Sequence, residues 1–153
     1  MATLLQELVE IVSVLNENEI EYAVCGGLAL TIHGFPRATF DIDVLIKSDS
    51  LEQAYKLAAE KGYDIKGLDM SFKERAVEIR RVSKIDDDGE VLSLDLLLVT
   101  PYVEDVWESR EQVILSENLL FVVSRDGLIK MKTLANRPQD LADIESLQND
   151  ETS

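Results

Sequence analysis

Cysteine is almost missing from this chain: Cys25 is the one thiol among 153 residues. It has no partner for an internal disulfide, so the sequence predicts a cytoplasmic protein and a small buried thiol in the core, not a nucleophile. Histidine is as scarce, and a lone His33 near a helix end is more often structural than catalytic. No stretch approaches the roughly 18 uninterrupted apolar residues of a membrane-spanning helix. The opening residues MATLLQELVE lack a basic lead and a cleavable apolar run, so no secretory signal is read. Positive charge is also short. Fifteen Lys and Arg face thirty Asp and Glu, for a formal net charge of −15, which argues against a long DNA or RNA footprint. A small anion can still bind in a locally basic cleft.

What is present describes one ordinary globular domain. The chain is 46% hydrophobic and 29% charged, with 7 Gly and 3 Pro and a mean hydropathy of −0.02. Apolar residues are too plentiful and too evenly spread for disorder. A single domain over residues 1–148 is expected, with Asn149-Asp-Glu-Thr-Ser153 as a disordered tail.

Residues 3–17 carry Leu4, Leu5, Leu8, Ile11, Val12 and Leu15 at helical spacing. Tyr22 to Cys25 reads as a buried strand, broken by Gly26-Gly27, with a short helix from Leu28 to His33. Phe40 to Ile46 is a second strand, and Ser48, Asp49 and Ser50 offer caps for a helix from Leu51 to Lys61. Val77 to Ile85 and Glu90 to Val99 flank the turn Asp86-Asp-Asp-Gly89, a hairpin signal without the spaced ligands of a calcium loop. A helix from Tyr102 to Arg110 follows, then short strands near Val113 and Leu120 to Val123. Ser124 caps a helix to about Leu134, and Pro138 opens a further one to about Leu147. Early alternation of helices and strands, followed by a hairpin, predicts an α/β (α+β) domain with a mixed sheet.

The informative chemistry begins at Asp41-Ile-Asp43. On a strand the two carboxylates share one face while Ile42, Val44 and Ile46 point into the core. Close carboxylates repel unless a proton or a cation sits between them, and magnesium suits such a site. A solvated edge bearing two surface aspartates explains the pair equally simply. Asp95 is the one charge in the apolar run Val91 to Val99, where an ionised carboxylate needs a partner, a metal or a strand end. If its strand lies beside Phe40–Ile46, Asp95 joins the pair; the alternative is an outward polar face shared with Ser93. Gly26-Gly27, between strand and helix, is a weak phosphate-cradle signal by itself.

Together these residues resemble the nucleotidyltransferase superfamily typified by DNA polymerase beta. Its signature is a glycine followed by Gly or Ser, nine to thirteen residues, then Asp, an apolar residue, and Asp or Glu. Here Gly26-Gly27 is followed by thirteen residues and Asp41-Ile-Asp43. The text from Gly26 to Asp43, and the segment from Leu128 to Glu145, are similar to small bacterial nucleotidyltransferase-like proteins, including toxin components of the AbiEii type. The resemblance implies a polymerase beta-like fold, a mixed β-sheet flanked by helices. It assigns Asp41, Asp43 and Asp95 to catalysis and to two magnesium ions. Gly26, Gly27, Arg37, Lys132 and Asp140 fall to the nucleotide. Asp140 and Asp143, spaced i, i+3, match a late motif for which the resemblance implies a role in orienting Lys132 or Arg137 or in contacting the nucleotide, or else form an exposed acidic stripe near a helix N-terminus. Of Lys130 and Lys132, helical spacing lets at most one face a cleft.

The implied reaction moves a nucleoside monophosphate from a triphosphate to an acceptor hydroxyl on a small molecule, protein or RNA, with release of pyrophosphate. Magnesium, a nucleoside triphosphate, an unknown acceptor and a protein partner or homodimer are the expected associates, with a role in a toxin–antitoxin pair. The rival expectation is a non-catalytic nucleotide-binding or regulatory module on the same fold. The second motif position is Gly27, not Ser, so a hydroxyl that binds phosphate is absent and backbone amides would replace it.

Overall fold

A computed structural model describes residues 3–35, 39–72, 76–135 and 137–150. Helix α1 (Leu4–Glu17) opens on a capping box in which the Thr3 hydroxyl accepts from Gln6 N–H and the Gln6 side chain accepts from Thr3 N–H. Strand β1 (Ala23–Cys25) runs straight into α2 (Gly26–Ile32). The two glycines are thus the first residues of the helix, not a break before it. Strand β2 (Asp41–Ile46) is followed by a 3-10 turn at Ser48–Ser50 and α3 (Leu51–Glu60). That turn replaces the expected side-chain cap: Ser50 makes no capping hydrogen bond.

Two short strands that the sequence reading passed over come next, β3 (Ile65–Lys66) and β4 (Met70–Phe72). The expected hairpin follows as β5 (Val77–Ile85) and β6 (Val91–Leu98). Its turn is held by Asp86, whose carboxylate accepts from the N–H of Asp88 and of Glu90, while Gly89 takes the left-handed conformation. A 3-10 turn at Pro101–Val103 shortens the next helix to α4 (Glu104–Glu108). Strands β7 (Glu111–Leu115) and β8 (Asn118–Val122) form a second hairpin. Ser124 does cap α5 (Arg125–Ala135), its hydroxyl accepting from Gly127 N–H. Helix α6 (Pro138–Asp150) extends past Leu147 into the stretch read as a tail, and residues 151–153 lie outside the described residues.

The sheet order is β3-β5-β6-β2-β1-β8-β7, with β4 on β5. β2–β6 and β1–β8 are parallel and the other pairs antiparallel, so the sheet is mixed as expected. Strand parity divides the two faces. Ile42, Val44, Leu94 and Leu96 are buried, and α1 and α3 close over this side with Ile11, Leu15, Ala54 and Leu57. Alternate residues Asp41, Asp43, Asp95 and Leu97 turn to the other side, toward a cavity also lined by α5 and Asp140. Glu7, at the buried end of α1, accepts a hydrogen bond from Tyr63 Oη and pairs with Lys84, tying α1 to the hairpin. Among the described residues no helix is long and apolar enough to cross a membrane.

Candidate active site

Register places the site residues in one row. Cys25, Asp43, Asp95 and Arg81 are successive cross-strand partners on β1, β2, β6 and β5. Asp41 lies two residues before Asp43, on the same face. The condition set on Asp95 is met: β6 lies directly beside β2, and Asp95 is 5% exposed.

Three carboxylates in so little space work against each other. Burial, then the charges of Asp95 and Asp41 and a hydrogen bond with Asp95, raise the Asp43 carboxyl to about 7, with Arg137 pulling the other way. Burial and Asp95 also raise Asp41, offset in part by Arg81. Burial, then the neighbouring Asp43 and Asp95, push the Cys25 thiol well up, which favours its protonated form.

Arg81 is the residue that sequence reasoning missed. Its Nε and Nη2 donate to the two oxygens of Asp95 at 2.7 and 2.9 Å, and Nη2 lies 3.5 Å from Asp41. The pairing is bidentate, and the carboxylates hold the guanidinium firmly protonated.

Across the cavity stands a second charged group. Lys132 is 6% exposed; its Nζ donates to Asp143 at 2.9 Å and lies 3.6 Å from Asp140. Lys130 points away and pairs with Asp105, so one lysine of the two faces the cleft, as helical spacing required. Asp140, 1% exposed, is no surface stripe: it accepts from Arg137 Nε at 2.7 Å, Arg137 Nη2 at 3.1 Å and the Arg137 backbone N–H at 3.1 Å. Burial pushes its carboxyl up, and the bonds from Arg137 outweigh that and leave it below the ordinary carboxylate range. His33 serves the fold, with Nε2 2.8 Å from the Val123 carbonyl oxygen. Arg37 lies outside the described residues.

The glycines are there for closeness. Gly26 has φ +67°, and a Cβ built on it would lie 2.0 Å from Asp43 Oδ2; one on Gly27 would lie 2.6 Å from Thr39 Oγ1. Any side chain would therefore strike Asp43 or Thr39. The cavity that Gly26, the carboxylate row, Lys132 and Arg137 surround has a volume of about 390 Å³, within the range of small-ligand sites.

The donor set suits a hard divalent cation in part. Asp41 and Asp43 supply oxygen from one strand, and burial together with the charges of Asp95 and Asp41 disfavours a bare Asp43 carboxylate, a penalty that such an ion relieves. Asp95 has both oxygens on Arg81, and among the described residues no three acidic, His or Cys side chains gather in a metal-ligating group.

Several solved structures share this fold. TM1012 from Thermotoga maritima superposes with a TM-score of 0.66 at 16% identity, over 95% of this chain and 92% of that one. ANT(2″)-Ia in complex with adenylyl-2″-tobramycin gives 0.65 at 13% identity, over 99% and 91%. The lincosamide antibiotic adenylyltransferase LnuA, with lincomycin bound, gives 0.57 at 11% identity, over 94% and 95%. No curated protein matches the chain at a significant level. A family model described as "Nucleotidyltransferase of unknown function (DUF6036)" matches residues 2–149, and the chain therefore belongs to this nucleotidyltransferase family.

Proposed function

We propose that the chain is a magnesium-dependent nucleotidyltransferase that moves a nucleoside monophosphate from a triphosphate to the hydroxyl of a small-molecule acceptor. The observation that carries this reading is the row of Asp43 and Asp95 on adjacent strands, with Asp41 beside them, facing Lys132 and Arg137 across one cavity. Opposite charges are arranged as a triphosphate with its counter-ions requires, and no side-chain nucleophile is provided. Small-molecule acceptors are suggested by the tobramycin product in ANT(2″)-Ia and the lincomycin in LnuA. The toxin-component role rests on the sequence resemblance.

In the reaction, the acceptor oxygen bonds to the α-phosphorus and the bond to the β-phosphate oxygen breaks. Pyrophosphate leaves with that electron pair, and the hydroxyl proton passes to Asp95. Asp41 and Asp43 would hold magnesium, with Asp95 joining them when Arg81 lets go. When bound there, magnesium lowers the pKa of the attacking hydroxyl and neutralises the triphosphate. Lys132, held by Asp143 and Asp140, and Arg137, held by Asp140, would meet the phosphates. Asp43 and Thr39 pack directly against Gly26 and Gly27, so this reading has the backbone N–H groups there, not side chains, meet the phosphates.

The rival, a non-catalytic nucleotide-binding module, draws on one observation: Arg81 occupies both oxygens of Asp95. Titration calorimetry with each nucleoside triphosphate, with and without magnesium, tests both on wild type and Asp41→Ala/Asp43→Ala. Magnesium-dependent binding that the double variant loses, followed by pyrophosphate release on supply of an acceptor, supports the enzyme. Binding without turnover across an acceptor panel supports the module, and no binding refutes both.

A further inference from the structure

The carboxylate row has unlike neighbours on its two sides. Toward Asp41 the sheet face continues with Ser93 and Ser83, which are cross-strand partners within hydrogen-bonding distance at 3.1 Å. The glycine cradle leans the same way, Gly26 against Asp43 and Gly27 against Thr39. In the opposite direction, one step of two residues or about 7 Å along the strands, the row is Leu45, Leu97, Ile79 and Met70, all partners in register. Beyond it stand Val77 and Phe72, also paired. Leu45 is buried at the floor of the cavity, but the rest of the row is not sealed in the core: Ile79, Leu97 and Met70 are half-buried and Phe72 is exposed, and all of them line the cavity. Apolar residues of α5 form another wall of the same cavity.

From this we infer that the acceptor is a hydroxyl compound with a hydrocarbon or aromatic body, its hydroxyl at Asp95 and its body lying on Leu97, Ile79 and Met70. The inference rests on the transferase reading and adds the acceptor's chemical class. The phosphates take the polar side, where the glycines and Asp41 are, which leaves the apolar side to the acceptor. An RNA acceptor needs cations along its path; among the described residues this path offers leucine, isoleucine and methionine, on a chain of net charge −15. A polyamine-like acceptor would meet the same apolar row.

The test uses two probe alcohols, 4-phenylbutan-1-ol and butane-1,4-diol, followed by methyl NMR on the full-length chain. The expected result is that the phenyl compound binds about tenfold or more tightly than the diol and shifts the Ile79 and Leu97 methyls. Ile79→Asn should abolish that preference while leaving magnesium-dependent triphosphate binding at the wild-type level. Equal binding of the two alcohols by wild type, or shifts confined to other surfaces, overturns the inference. So does displacement of the magnesium–triphosphate complex by phenylbutanol on wild type, a readout that survives if Ile79→Asn fails to fold, because it would make the apolar row a base pocket. Absence of triphosphate binding to wild type is seen in a separate titration; that is failure of the transferase reading, and the acceptor role falls with it.

Discussion

Replacing Asp43 with Asn should make the metal-free protein more stable while removing its capacity to bind magnesium and triphosphate. The Asp43 carboxyl is raised to about 7 by burial and by Asp95 and Asp41. In the unfolded chain it titrates near 4, as carboxylates ordinarily do. Between those values the native state keeps a proton that the unfolded state has released, so native stability falls as pH climbs through about 4 to 7 and levels off above. The full difference corresponds to about 4 kcal/mol. Part of the side chain faces cavity water, and screening there reduces the expected effect to about 2 kcal/mol. Asparagine carries no charge, so the variant escapes this penalty, with a gain of about 4–8 °C in melting temperature at pH 8 for a chain of this length. At pH 5 the gain should be smaller than at pH 8, and near pH 4 it should be only a small fraction of it. Thermal unfolding in metal-free buffer at the three pH values checks this. A variant that melts at or below wild type at pH 8, or whose gain is the same at pH 5 and pH 8, would refute the claim that burial and the neighbouring carboxylates disfavour the Asp43 charge.

Arg81→Ala should destabilise the metal-free protein by about 1–2 kcal/mol, because Asp95 is left buried without its partner and Arg81 is itself partly screened by solvent. Because the substitution releases both oxygens of Asp95, magnesium should raise the melting temperature of this variant more than that of wild type; an equal rise counts against Asp95 as a ligand. Lys132→Met should unfold near the wild-type denaturant midpoint, since Asp140 keeps Arg137, and should lose triphosphate binding in calorimetry. Gly26→Ala should cost about 3 kcal/mol in urea unfolding, combining a left-handed backbone with a side chain driven onto Asp43; a neutral result would mean that β2 gives way easily.

The sequence made the carboxylates legible because strand parity is strict: Asp41 and Asp43 had to share a face once Ile42 and Val44 were buried. Arg81 was equally within reach. A hairpin turning at Asp86–Gly89 pairs Ile85 with Val91 and so brings Arg81 opposite Asp95, but that count needs the turn register, not only the turn. The strands β3 and β4 were not legible, since two or three residues with Ile65 and Phe72 half exposed leave no alternation to detect. The first turn of α2 was hidden by its glycines, residues that propensity assigns to a break and that a close approach to Asp43 places in a helix. The Lys132–Asp143–Asp140–Arg137 cluster came from the family resemblance and not from spacing, since it depends on how α5 and α6 fold back on each other, which spacing along one helix does not encode. The apolar row was invisible for a related reason: Leu97 and Ile79 lie in strands without a mark of their own, and register alone turns them toward a cavity.

The pairing of Lys132 with Asp140 and Asp143 also sets a time at which the site becomes whole. Asp43 leaves the ribosome 97 residues ahead of Asp140, an interval of about 5–20 s at ordinary rates of synthesis. Until α6 emerges, Arg137 has no Asp140 to hold it and Lys132 no anchor, so a nascent chain with all three carboxylates made still lacks the ordered cations that face them.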